Sequence, residues 1–227
     1  MSDAAPSPVS EAPAGESLTS TAQIAAFLAA RMCHDFISPV SAIVSGLDLL
    51  EDEGAQDMRE DAIGLIAASG RKLADLLAFT RVAFGASASA DTFDPRELET
   101  LSQAVFAHQR ANLVWTVEPA SLDKPSARTI LNLAQMAGAA LPMGGEAQVR
   151  AVSDGAATVI AAEAVGAKAR LRPEVEAGLL GRPLPDGMLH GHWVQAYYVH
   201  LFVTEAGGRV LVESAEGKVT FAATLPA

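Results

Sequence analysis

His34 is followed at once by Asp35 and, five residues on, by Pro39, inside an otherwise helical apolar pattern. An imidazole beside a carboxylate suits nucleophilic or proton-transfer chemistry near neutral pH, because a neutral ring nitrogen keeps its lone pair and the acid can orient the ring. On a helix turning about 100° per residue, Ala29, Met32, Cys33, Phe36, Val40, Ile43, Leu47 and Leu50 lie on the side opposite His34. The imidazole therefore faces water. Ser38, Ser41, Ser45, Asp48 and Asp52 share its stripe, all short or polar, so a macromolecular partner can reach the ring without displacing bulky side chains. Pro39 removes one helical hydrogen bond and frees the carbonyl of Asp35, beside the histidine. The pattern continues for about three turns past the proline, which predicts a tolerated kink.

The elements that must carry this pair are two long helices. The first is expected over Thr19–Glu51, with Thr19, Ser20 or Thr21 as N-cap and Gly54 near its end. A turn at Asp52-Glu53-Gly54-Ala55 leads to a second helix whose stripe is Met58, Ala62, Leu65, Ile66, Ser69, Leu73, Leu76, Leu77 and Thr80, reaching Phe84. Two amphipathic helices do not close a core. Pairing two such hairpins across a two-fold axis gives an antiparallel four-helix bundle and a homodimer; the alternative is a monomeric bundle completed by the next segment.

Residues 1–17 are rich in Pro, Ala, Ser and Glu with no basic or hydrophobic leader pattern, so a disordered tail is expected there. The hairpin is assigned to 18–85, a linker to 86–92 around the small residues Gly85–Ala90, and a second domain to 93–227. That domain reads as a helix at Asp94–Gln109, a strand at Leu113–Val117 and a helix at Ser126–Ala140. Strands at Ala147–Val152 and Ala157–Ala162, a helix at Trp193–Ala206 and a hairpin at Arg209–Glu213 and Lys218–Ala223 complete it. The fold class is α+β: a helical hairpin followed by an α/β sandwich.

A formal charge of −11 over 227 residues argues against nucleic-acid binding, which needs a basic face. No run of 18 consecutive apolar residues occurs, so no membrane association is expected and the protein is placed in the cytoplasm. The single cysteine, Cys33, allows no internal disulfide and reads as a buried, inert thiol. His190 and His192 lack a nearby acid or cysteine and are a weak metal signal, so no metal site is assigned. His108 and His200 are taken as ordinary packed or solvated histidines, and Trp115 as a core residue.

The run His34-Asp35-Phe36-Ile37-Ser38-Pro39-Val40-Ser41-Ala42-Ile43 resembles the H-box of histidine-kinase dimerisation domains, with Ile37 where an arginine is usual. The second domain is similar to the ATP-binding domain of those kinases, most clearly at Ala206-Gly207-Gly208-Arg209-Val210-Leu211-Val212-Glu213-Ser214. The nucleotide boxes depart from the pattern. Asn132 has Met136 where a second asparagine belongs, Ala164-Val165-Gly166-Ala167-Lys168 lacks the adenine-reading aspartate, and Pro185–Trp193 holds no Gly-x-Gly lid.

An H-box hairpin joined to such a domain resembles the ChpT-type histidine phosphotransferases of alphaproteobacteria, from about residue 20 to the end. The resemblance implies a dimeric relay in cell-cycle control. The receiver domain of a hybrid sensor kinase would pass phosphoryl to His34, and His34 would pass it to response-regulator receivers. No cofactor is implied for this chain: the receiver brings its own Mg²⁺, and no ATP binding is expected. Asp35 would orient the ring or raise its basicity. Candidate docking residues are Arg31, Ile37, Ser38 and Ser41 around the histidine, and the basic run Lys168, Arg170 and Arg172 against an acidic receiver surface. A noncatalytic dimeric receiver-binding scaffold and a histidine kinase with a divergent ATP site are the alternatives.

Overall fold

Ser20 starts the first helix with a reciprocal cap: its hydroxyl accepts from the Gln23 amide at 3.2 Å, while the Gln23 side chain accepts from the Ser20 amide at 2.9 Å. The computed structural model describes residues 20–85 and 91–226, so the expected tail at 1–17 and most of the small-residue linker lie outside the described residues. From the cap, α1 runs as one helix over Thr21–Glu51, with Pro39 inside it. Asp52 then caps a short 3-10 segment, Glu53–Met58, in place of the simple turn expected, and α2 follows over Arg59–Ala83.

The two helices approach closely at Gly46. A methyl group there would lie 2.6 Å from the Ile66 side chain and 3.1 Å from the Ala62 carbonyl, so the missing side chain is what lets the backbones approach. This seam covers only part of the apolar surface of α1. Pro39 and Gly46 are buried and Met32, Ile43 and Leu50 half-buried, but Val40, Val44 and Leu47 stay exposed, as do Ile63, Leu65 and Leu77 on α2. Cys33 is exposed, not buried as expected, because it lies on this open flank and not on the side facing α2. By length and composition α1 is also apolar enough to span a membrane; here its apolar residues partly meet α2 and α6.

The second domain is a two-layer sandwich. After β1 (Thr92–Phe93), which begins at the last residue of the expected linker, come α3 (Pro95–Phe106), β2 (Ala111–Val117), β3 (Leu122–Asp123) and α4 (Lys124–Ala139). β4 (Gly145–Ser153), β5 (Ala157–Val165), α5 (Pro173–Leu179), α6 (His190–Glu205), β6 (Arg209–Ala215) and β7 (Lys218–Pro226) complete the chain. Five strands form a sheet in the order β2-β4-β5-β7-β6, parallel only between β2 and β4; β1 and β3 pair separately.

Alternate residues of the central strands face the helices: Thr158, Ile160, Ala162 and Ala164 on β5, and Val219, Phe221, Ala223 and Leu225 on β7, are buried. The other face is open. There Glu163 holds both Arg150 and Lys218 at 3.0 Å.

Hairpin and sandwich share a core. Phe79 and Ala83 of α2 belong to the same buried cluster as α3, α4 and the sheet. Ile24, Phe27 and Leu28 of α1 pack on a second cluster built from Trp193, Val194 and Tyr197 of α6 with Ala177 of α5. His108 adds a bond at 2.8 Å to Asp75 of α2. The N-terminal turns of α1, which lead up to His34, are thus seated on the first turns of α6.

Candidate active site

His34 sits on the solvent side of α1 with its side chain 84 % exposed. Its Nδ1 lies 3.3 Å from Oδ1 of Asp35. The tautomer protonated on Nδ1 donates to that carboxylate and leaves Nε2 unprotonated, its lone pair available to an electrophile.

The other carboxylate oxygen of Asp35 accepts from Arg31 Nε at 2.9 Å, one helical turn back. Arg31 also donates from Nη1 to the Gly191 carbonyl at 3.0 Å, and the same nitrogen stands 3.3 Å from His192 Nδ1. Its side chain is only 13 % exposed. The residue expected to meet a partner is turned inward, because the start of α6 lies against α1 and offers a carbonyl and a ring nitrogen to the guanidinium. Ile37, Ser38 and Ser41 do face solvent beside the histidine.

His34, Asp35, Arg31 and Ala30 form one wall of a cleft of about 180 Å³, and Leu189, His190, Gly191 and His192 the other. His190 lies against Phe27, ring centres 4.8 Å apart. Burial lowers the pKa of His192 below its ordinary value; the positive charges of Arg31 and Arg172 add to the shift, while Glu174 and Asp35 oppose it. His192 is therefore the neutral form that can accept from Arg31. Sequence reasoning left His190 and His192 without a role, since their neighbours across the cleft, Phe27 and Arg31, lie far away in the chain, Arg31 being 161 residues from His192. The i,i+4 spacing of Arg31 and Asp35 was the one local signal available.

The basic run divides. Lys168 and Arg170 are exposed on an open groove with Met143 and Glu216, whereas Arg172 is half-buried, with Nε bonded to nothing among the described residues. Arg170 and Arg172 line, with Met136, His192, Gln195 and Phe221, a cavity of only about 20 Å³.

Asn132 is fully buried and committed to the protein itself. Its amide donates at 2.9 Å to the carbonyls of Ala83 and Arg128, and its oxygen accepts from Gln195 at 3.2 Å. Gln195 in turn donates to Gln135 at 2.6 Å. Gly166 is fixed in a tight turn, donating to the Gly217 carbonyl and accepting from the Ala169 amide, both at 2.9 Å.

Comparison with known proteins bears on this arrangement. Residues 95–218 match the family described as histidine phosphotransferase C-terminal domain. The protein phosphotransferase ChpT of Brucella abortus (strain 2308) is 32 % identical over 208 residues, spanning 90 % of this chain and 96 % of that protein. A solved bacterial phosphotransferase superposes with a TM-score of 0.79 at 31 % identity, covering 90 % of this chain and 97 % of the other. The catalytic domain of the histidine kinase ThkA gives a TM-score of 0.45 at 15 % identity over 60 % of this chain.

Proposed function

This chain belongs to the histidine phosphotransferase family, and from that premise we propose that His34 is the residue that carries the phosphoryl group. The supporting observation is the pairing of an exposed imidazole with Asp35 at 3.3 Å from Nδ1, which leaves Nε2 free on the solvent side. The donor is the aspartyl phosphate of a receiver domain. The Nε2 lone pair forms the new N–P bond as the O–P bond of the acyl phosphate breaks, and the receiver's carboxylate leaves with the electron pair. Asp35 shares the Nδ1 proton and offsets the positive charge that the ring gains. The reverse sequence delivers the group to a second receiver.

The receiver supplies Mg²⁺ and its own catalytic side chains, so this chain contributes a positioned nucleophile and a docking surface. Two observations support a protein that binds no ATP of its own. Asn132, in the place of the metal-binding asparagine, is tied into a buried amide network. Gln195, the partner of Asn132 in that network, lines with Met136 a cavity of about 20 Å³, room for roughly one water molecule.

Docking is assigned to Ile37, Ser38 and Ser41 on α1 and to Lys168, Arg170 and Arg172, whose charge suits an acidic receiver face. The protein acts as a homodimer in this reading, the open flank of α1 and α2 pairing with its copy in a four-helix bundle. Its place of action is the cytoplasm, where the receivers are.

The test is transfer from a phosphorylated receiver. Label is expected on His34 in the wild-type protein and absent from His34→Ala; label retained in that variant contradicts the assignment. Charge reversal of Arg170 and Arg172 is expected to weaken receiver binding, and unchanged affinity would remove both from the docking surface.

A further inference from the structure

We propose that Arg31, held in place by the second domain, is a positioning residue that sets the tautomer and orientation of His34 by bracing Asp35. This deepens the reading of His34 as phosphoryl acceptor and rests on it.

The geometry forms a chain of contacts from α6 to the reacting ring. Gly191 O receives Arg31 Nη1 at 3.0 Å, His192 Nδ1 faces the same nitrogen at 3.3 Å, Arg31 Nε bonds Asp35 Oδ2 at 2.9 Å, and Asp35 Oδ1 faces His34 Nδ1 at 3.3 Å. Each member fixes the next. A carboxylate beside an exposed histidine would otherwise rotate freely about its own side-chain bonds, and the ring with it. With one oxygen occupied by a guanidinium that is itself anchored at its other end, the second oxygen has a fixed direction, and only the ring tautomer with hydrogen on Nδ1 satisfies it.

The planar fork of arginine suits this task, since Nε and Nη1 point to two different acceptors at once; a lysine ammonium is a single point that cannot span them rigidly. The acceptors on α6 belong to its first turn: Gly191 supplies a backbone carbonyl, and the lone pair of neutral His192 faces the guanidinium. The half-burial of Arg31 and Asp35, with side chains 13 % and 27 % exposed, keeps the pair from being simply replaced by water. In this account the second domain acts on the chemistry of the first through one side chain. It also explains why the start of α6 is packed against α1 opposite the histidine in a protein whose second domain has its asparagine committed to other bonds.

The test uses the intact protein, with two readouts on Arg31→Met, Arg31→Lys and wild type. Nitrogen-15 NMR of the histidine rings reports the His34 tautomer without any phosphoryl donor, and rapid-quench kinetics with a phosphorylated receiver separates kcat from KM. We expect the Nδ1–H form in wild type and a shift toward Nε2–H in Arg31→Met. We also expect kcat to fall about ten- to a hundredfold, KM for the receiver to stay within about twofold, and Arg31→Lys to lie between.

A tautomer and a kcat unchanged by Arg31→Met would overturn the proposal. So would a raised KM with unchanged kcat, which would make Arg31 a docking residue. A tautomer shift in a protein whose wild type takes no label would support the brace while refuting the phosphoryl-acceptor reading, so the two fail separately.

Discussion

Replacing Asn132 with alanine tests whether the buried amide network, and not a metal ion, accounts for this residue. The Asn132 side chain is inaccessible to solvent, and its truncation removes the donor to Ala83 O, a carbonyl in the last turn of α2 that the helix cannot satisfy internally. A buried carbonyl left unpaired costs about 1–3 kcal/mol. Losing the Gln195 contact adds about 1 kcal/mol, although Gln195 keeps its 2.6 Å bond to Gln135. The Arg128 carbonyl loses little, because it lies within α4 and takes part in the helical ladder.

The sum is about 2–4 kcal/mol, which in a chain of this size lowers Tm by roughly 4–16 °C. Thermal unfolding followed by far-UV circular dichroism measures it, with and without millimolar Mg²⁺ and ATP. The wild-type Tm should not respond to the nucleotide, since a ligand bound only by the folded state would raise it. A variant within about 1 °C of wild type would refute the network, since even 2 kcal/mol corresponds to roughly 4 °C in a chain of this size. A wild type stabilised by Mg²⁺ and ATP, with Asn132→Ala losing that stabilisation, would show that the asparagine serves a nucleotide after all.

Other perturbations reach the remaining joints. His192 has a lowered pKa in the folded chain, so its contribution to stability is complete above the ordinary histidine value of 6.5 and is lost as pH falls below it, the unfolded chain binding the proton first. Urea unfolding across that range should show a downward slope toward acid that is reduced in His192→Gln; an identical slope in both would assign the effect elsewhere. At Gly178 a methyl group would stand 2.5 Å from the Trp193 carbonyl and 2.9 Å from the Tyr197 amide, so Gly178→Ala should separate α5 from α6. Overpacking of about 1–3 kcal/mol outweighs the helix-propensity gain of about 1 kcal/mol, and an unchanged or higher Tm would contradict the contact. Val44→Glu with Leu47→Glu places charges on the open flank of α1, and sedimentation should show a homodimer in wild type and monomers in the variant. A wild-type monomer at micromolar concentration would refute the bundle.

The parts of this structure written in local patterns were legible in the sequence. Asp94 announced its helix through capping chemistry, Ser20 was one of three adjacent caps on offer for the first helix, and the β6–β7 hairpin followed from alternation around Glu216-Gly217. α5 escaped because seven residues hold no measurable period; only Pro173 at its first turn marked it. The two-residue strands β1 and β3 escaped for the same reason.

Cys33 shows a different limit. The pattern revealed that α1 has a broad apolar side, but one chain's sequence does not say which part of that side α2 covers. At the site, His34 and Asp35 are neighbours in sequence and were readable together. The contact of Arg31 with Gly191 and His192 joins residues on opposite sides of the linker, and only the folded chain brings them within hydrogen-bonding distance.

The central claim is that phosphoryl enters this protein from a receiver and resides on His34. The most direct measurement offers the purified protein radiolabelled ATP in one reaction and a labelled phosphoreceiver in another, with His34→Ala alongside. Label arriving only from the receiver, and only when His34 is present, is the predicted result; label from ATP alone, or none from either donor, would contradict it.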